Sequence, residues 1–161
     1  ATWGLEAAWA GVATVAPGAL GAALVLSVDP SDVYLRAHVP GAAWLCRSRL
    51  ETRIGAAAPN RARALVLTCA AGAQSTLAAA TLARLGYSSV RVLAGGVRAW
   101  QAAGQPVEAG PTRLLDEADD VVLKPYERGR AAMEAYLRWE EALDLEGRSP
   151  HALLPDARAR R

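Results

Sequence analysis

The chain has 161 residues, 52% hydrophobic and 21% charged, and eighteen basic side chains against sixteen acidic ones leave a formal net charge of +2. So near a balance supplies no excess positive field for gripping phosphate backbones, which excludes a general nucleic-acid binder. The longest apolar-looking stretch, Val12 to Val28, is interrupted by Pro17, Gly18 and Gly21 and is no membrane span. One domain of ordinary size with a small appendage is expected. Two cysteines, Cys46 and Cys69, make no disulfide scaffold, so both are expected as free thiols in a cytoplasmic protein. The chain starts at Ala1 without Met and is expected to be processed or cut from a longer polypeptide. Alanine makes up nearly a quarter of the residues, Lys124 is the single lysine and Phe is absent. Alanine content therefore says little about where helices lie.

Hydrophobic periodicity gives the organisation in chain order. Val12 to Val15 is a weak strand candidate, and Leu24 to Val28 is a short apolar run of the kind buried on both faces of a sheet. Ser31 to Arg36 opens on an Asp/Ser start and predicts a helix. Ala43 to Leu45 is a further weak strand, followed by a loop carrying Arg47, Arg49 and Arg53. Ala64 to Thr68 is the second clear strand, Ser75 to Leu85 a helix ended by Gly86, Val90 to Leu93 a third strand, and Val97 to Ala103 a helix ended by Gly104. Strands alternating with helices predict an α/β fold built on a parallel sheet, with its ligand crevice beyond the carboxyl ends of the strands.

Beyond Pro106 the composition shifts. Gly110-Pro111 marks a linker, so the expected division is 1–110 and 111–161. Asp116 to Asp120 is an acidic run, expected to be a solvated loop, with cation binding the alternative. Tyr126 to Leu145 predicts an amphipathic helix whose stripe holds Ala132, Met133, Tyr136, Leu137 and Leu143, with Trp139 on its shoulder. That face either packs on its own domain or docks a second subunit or neighbouring domain. The residues after Arg148 read as solvated.

The crevice rule singles out one place. Cys69-Ala70-Ala71-Gly72-Ala73-Gln74 follows directly on a strand and precedes the helix expected from Ser75. A thiol there faces backbone N–H groups and the positive end of a helix dipole, surroundings that favour the thiolate. The small side chains and Gly72 let the loop curl tightly. On position alone Cys69 is either a nucleophile or a small buried hydrophobe closing a strand.

Three segments, in order, resemble the rhodanese family of sulfurtransferases. Tyr34-Leu35-Arg36-Ala37-His38-Val39-Pro40-Gly41-Ala42 is similar to the family's Tyr-x-x-Gly-His-Ile-Pro-Gly-Ala, with Ala37 in place of Gly. Cys69 through Ser75 resembles the active loop Cys-x-x-Gly-x-Arg-Ser. Leu85-Gly86-Tyr87, Val92-Leu93-Ala94-Gly95-Gly96-Val97-Arg98-Ala99-Trp100 and Gly104-Gln105-Pro106-Val107 resemble its closing segment. The likeness spans about Val12 to Glu108. It implies a rhodanese-like parallel β-sheet flanked by helices, extended here by the C-terminal amphipathic helix. It also implies sulfur transfer through a Cys69 persulfide, from thiosulfate or a mercaptoacid to a thiol or cyanide, with Ala70, Ala71, Gly72, Ala73, Gln74 and Ser75 as the cradle and no metal or organic cofactor.

The departures from the pattern bear on the substrate. Gln74 stands where thiosulfate-using members carry Arg, so the resemblance leaves Arg47, Arg49 or Arg53 to supply charge to an anionic donor. The family's Asp-Val-Arg appears as Ser27-Val28-Asp29, and Val33 replaces a Glu, removing a structural ion pair. Related cell-cycle phosphatases have a loop one residue longer with Arg sixth after the Cys; here that position is Ser75. The features that depart from the pattern also admit a non-catalytic rhodanese-like module of a larger assembly. His38 is expected to fix its turn by hydrogen bonding, Cys46 to fill core space, Trp100 to pack in the core, and Gly95-Gly96 to make a turn or approach a ligand.

Overall fold

Five short strands pair into one wholly parallel sheet: β1 (Thr14–Val15), β2 (Leu24–Ser27), β3 (Ala43–Trp44), β4 (Leu65–Thr68) and β5 (Val90–Leu93). Their spatial order is β1-β5-β4-β2-β3. The computed structural model describes residues 11–122 and 124–145, divided into one compact unit ending at Val121 and a second beginning at Val122. β2 and β4 are buried at every position and pair at the centre, as their unbroken apolar runs predict. Exposed Thr14 lies on β1, at the edge.

Side chains alternate across the sheet. Leu24, Leu26, Leu65 and Leu67 point to one face, where α2 (Leu50–Ala57) and α3 (Ala73–Arg84) cover them with Leu50, Ile54, Ala78, Ala79 and Leu82. Val25 and Val66 point to the other, against Val15, Leu93 and the Val97 and Trp100 side chains of α4 (Gly96–Ala102). Trp100 is thus a core residue, as expected. A short α1 (Ser31–Arg36) occupies the predicted span. The register Ser27↔Thr68 brings the carboxyl ends of the two central strands level, so the residues that follow them emerge side by side.

Three expectations are corrected. The segment expected as a loop carrying Arg47, Arg49 and Arg53 is a 3-10 turn, Arg47–Arg49, running into α2. Leu50 and Ile54, one helical turn apart and buried, are the signal for it, obscured in the sequence by the intervening charged residues. The acidic run is no free loop. Asp116 is buried against Arg49 (2.9 Å) and Arg53 (4.0 Å), Asp119 pairs with Arg49, and Asp120 accepts the Ser31 N–H at 3.0 Å. Because of these partners, and of the Trp44 N–H donated to the Arg113 carbonyl (2.8 Å), the first unit runs past residue 110 to Val121.

Tyr34 ties this stretch to the sheet. Fully buried, it donates its hydroxyl to the Ala42 carbonyl (2.8 Å) and accepts the Arg113 N–H (3.3 Å). Tyr34→Phe leaves both groups without that partner and is expected to cost about 1.5 kcal/mol, read as a lowered thermal midpoint; an unchanged midpoint would contradict this account.

In the second unit a 3-10 turn, Pro125–Arg128, precedes α5 (Arg130–Leu145). The Tyr136 ring lies 5.8 Å from Trp139, and both side chains are exposed, as is Leu137. The tail expected to be solvated after Arg148 lies outside the described residues.

Candidate active site

β4 delivers Cys69 to the carboxyl edge of the sheet, only 2% exposed. Gly72, at φ +94, turns the chain into α3, a conformation that glycine adopts without the Cβ penalty. α3 therefore starts at Ala73, two residues before the expected Ser75, and the Ser75 N–H falls in its first turn. First-turn N–H groups have no acceptor within their helix. This one donates to Cys69 Sγ at 3.4 Å, joined by the Gly72 N–H at 3.2 Å. The Ser75 hydroxyl donates to the Gly72 carbonyl (2.9 Å) and lies 3.4 Å from Sγ. Sulfur thus sits among fixed donors at the positive end of a helix dipole, an arrangement suited to negative charge on sulfur.

Two further elements brace the loop. At the start of α4, the Val97 and Arg98 N–H groups donate to the Cys69 and Ala70 carbonyls at 3.0 and 3.1 Å. Gly95 and Gly96, at φ +68 and +63, bring that helix in so closely that a Cβ on Gly96 would lie 2.0 Å from the Cys69 carbonyl oxygen. The glycine pair thus approaches the loop's own backbone. From β2, buried Asp29 accepts the Ala70 N–H at 2.9 Å. Burial pushes its carboxyl above the usual carboxylate range, opposed by the hydrogen bond from Ala70.

The other expected site residues are held by partners outside the loop. Arg47 reaches Glu51 (3.3 Å) and the Thr81 hydroxyl (3.1 Å), and Arg49 is held by Asp116 and Asp119. Hydrogen bonding to Arg49 keeps the Asp119 carboxyl below its ordinary range. The expected contact of Arg47 and Arg49 with a donor anion therefore finds both guanidinium groups already paired with carboxylates, Arg47 one helical turn from Glu51 and Arg49 under the 111–121 segment. His38 is buried: Nδ1 lies 2.8 Å from the Tyr34 carbonyl oxygen, Nε2 2.8 Å from the Thr112 hydroxyl, and its ring stacks on Tyr34 at 3.8 Å. It braces the turn against the 108–112 segment. Cys46 packs with Tyr34 and Trp44, in a different cluster from Cys69, and both thiols are free.

Ala71, Ala73 and Gln74 are exposed at the mouth of the loop. Beside them a cleft of about 270 Å³ is lined by Thr14, Ala71, Ala73, Thr76, Val92 and Ala94 among others. Among the described residues no group of His, Cys, Asp and Glu side chains is arranged to hold a metal, and no helix is long and apolar enough to cross a membrane.

The family model for a rhodanese-like domain matches residues 16–103, more than half of the chain. The chain belongs to the rhodanese-like family. This rhodanese-like domain is similar to a thiosulfate sulfurtransferase from Pseudomonas aeruginosa, with 35% identity and a TM-score of 0.71 over 85% of this chain and 28% of that one. It therefore spans little more than a quarter of that protein. A rhodanese from E. coli, solved with anions, is 29% identical with a TM-score of 0.50, covering 55% of this chain and all of its own. A Rhodopseudomonas palustris protein of unknown function, described as a possible tyrosine phosphatase, shares the fold at 24% identity and a TM-score of 0.57, over 65% of this chain and 90% of its own. No curated protein sequence matches the chain. The rhodanese-like loop here closes at Ser75, whose hydroxyl turns back onto Gly72, and it offers no arginine at that position for bidentate phosphate binding.

Asp29 and Gly96 are the site residues that reading the sequence missed. Asp29 stood out only as a departure from the family pattern, although its place just past β2, beside the exit of β4, was a usable signal. Gly96 was visible as half of a Gly-Gly pair, but the object it approaches was not.

Proposed function

We propose that this rhodanese-like domain is a sulfurtransferase carrying sulfane sulfur as a Cys69 persulfide. The observation that carries the reading is the pair of N–H donors, from Gly72 and Ser75, converging on Cys69 Sγ at the start of α3. Cys69 thiolate attacks the outer sulfur of the donor; a new S–S bond forms, and the donor's bond to that sulfur breaks, its electron pair leaving with sulfite or with the mercaptoacid remnant. A thiolate or cyanide then attacks the outer sulfur, takes it as persulfide or thiocyanate, and returns Cys69 to thiolate. The same donors serve thiolate and persulfide alike. A reducing compartment such as the cytoplasm suits a carrier with two free thiols.

The charge around the loop favours a donor with less charge than thiosulfate. Gln74 is neutral and exposed, and Arg47 and Arg49 are engaged by acidic groups. Gln74→Arg is expected to raise kcat/KM for thiosulfate by about tenfold, the effect of one added charge-assisted hydrogen bond. An unchanged value would show that position 74 does not set donor preference. The neutral Gln74 and the pairing of Arg47 and Arg49 also support a second reading, a non-catalytic binding module of a larger protein.

One experiment separates the two. Incubation with thiosulfate and, separately, with mercaptopyruvate, followed by peptide mass spectrometry, is expected to show a one-sulfur adduct on Cys69 that cyanide or a thiol removes. No adduct from either donor overturns the enzyme reading.

A further inference from the structure

The carboxyl ends of β2 and β4 carry a buried polar group that faces the rear of the Cys69 loop. Val28 N–H donates to the Thr68 carbonyl at 3.0 Å and holds the two chain exits together. One residue further along each chain stand Asp29 and Cys69. Asp29 is 4% exposed, and its Oδ1 takes the Ala70 N–H at 2.9 Å. Its Oδ2, the Ser27 hydroxyl and the Thr68 hydroxyl are buried without a well-formed hydrogen bond. A buried carboxylate normally has a cation beside it. Among the described residues no cation acts on this one; the charge that does is Asp32 of α1, of like sign. Asp120 stands at the start of α1 and is occupied by the Ser31 N–H.

We infer that Asp29 is a positioning residue for sulfur transfer, holding the Cys69 loop through the Ala70 N–H and governing, by its charge one peptide unit from the nucleophile, the pH range in which the thiolate forms. The inference rests on reading Cys69 as the sulfur carrier. Asp29 bonds the peptide unit that follows Cys69, and both side chains are buried, so an ionised Asp29 disfavours the thiolate and a protonated one does not. Burial already biases Asp29 toward that form.

The test compares the full chain with Asp29→Asn and Asp29→Ala. Iodoacetamide alkylation of the Cys69 peptide is followed by mass spectrometry against pH, a reaction that needs no sulfur transfer. Asn keeps an oxygen for the Ala70 N–H but carries no charge, so the midpoint of its profile is expected to fall by roughly one pH unit. Ala loses charge and anchor together; its midpoint is expected above that of Asn, because a slackened loop aims the Gly72 and Ser75 N–H groups less well. An Asn profile superimposed on that of the unaltered chain overturns the inference. A measurement without substitution guards against variants that fail to fold. In the ¹⁵N-labelled unaltered chain, the Ala70 amide proton should move with the titration of the Asp29 carboxyl, and a resonance flat from about pH 4 to 8 also overturns it. If the Asn profile shifts but no sulfur loads on Cys69, the sulfur-carrier reading falls while Asp29's hold on the loop stands.

Discussion

Cys69→Ser is expected to abolish sulfur loading and to lower sulfur transfer by about a thousandfold or more, as removal of a covalent nucleophile does. The reason is chemical rather than steric. Serine fits the site of a 2%-exposed cysteine and keeps acceptors for the Gly72 and Ser75 N–H groups, so the fold should survive. Its hydroxyl, however, is not ionised near neutral pH, and among the described residues no histidine reaches the loop to take its proton; His38 is held by Tyr34 and Thr112. The check is peptide mass spectrometry after exposure to donor, with thermal unfolding as the control for folding. An adduct that persists in the Ser variant, carried by Cys46, would move the chemistry to the wrong thiol and overturn the assignment.

The second large effect is expected at Gly96. A Cβ there would meet the Cys69 carbonyl oxygen at 2.0 Å and the Ala70 carbonyl carbon and Ala71 nitrogen at 2.9 Å. All three are backbone atoms, so no side chain can swing aside. The +63° φ adds the left-handed penalty for an L side chain. Gly96→Ala must push α4 away from the loop, breaking the Val97 and Arg98 hydrogen bonds to Cys69 and Ala70. We expect a loss of about 3 kcal/mol or more of stability and, in protein that remains folded, sulfur loading slower by about a hundredfold, the usual effect of a misplaced reacting group. Gly104→Ala is the control. Its φ is also positive, at +73°, but nothing lies within 4 Å of an added Cβ, so only the conformational cost of about 1 kcal/mol applies. Denaturant unfolding of both variants checks the difference; equal losses would mean that close approach to the loop is not what Gly96 provides.

The central strands and the loop that holds Cys69 were legible in the sequence because each depends on local signals. An unbroken apolar run such as Leu65 to Thr68 can be buried only from both sides, and a cysteine followed by Ala-Ala-Gly at its end has few places to go. α2 was missed because its apolar stripe is only Leu50 and Ile54 among Glu51, Thr52 and Arg53, a pattern that becomes decisive only once a sheet lies beneath it. The ion pairs of the arginines were hidden for a related reason. Arg47 and Arg49 counted as free positive charges until the chain brought Glu51, Asp116 and Asp119 to them, and ion pairing between distant segments leaves no periodic trace.

What the sequence alone determined was the parallel α/β class, the family likeness and the place of Cys69 at the end of a central strand, since strand burial, loop composition and motif order are all written within a few residues of one another. What only the tertiary structure decided was the environment of that thiol. Asp29 and Ala70 are 41 residues apart and meet through one hydrogen bond, and Gly96 touches the backbone of Cys69 across the turn after β5. Those contacts come from strand order and register, which place the exits of β2, β4 and β5 together at one edge of the sheet. Charge and clearance at the sulfur are properties of that edge, and no single segment of the chain contains them.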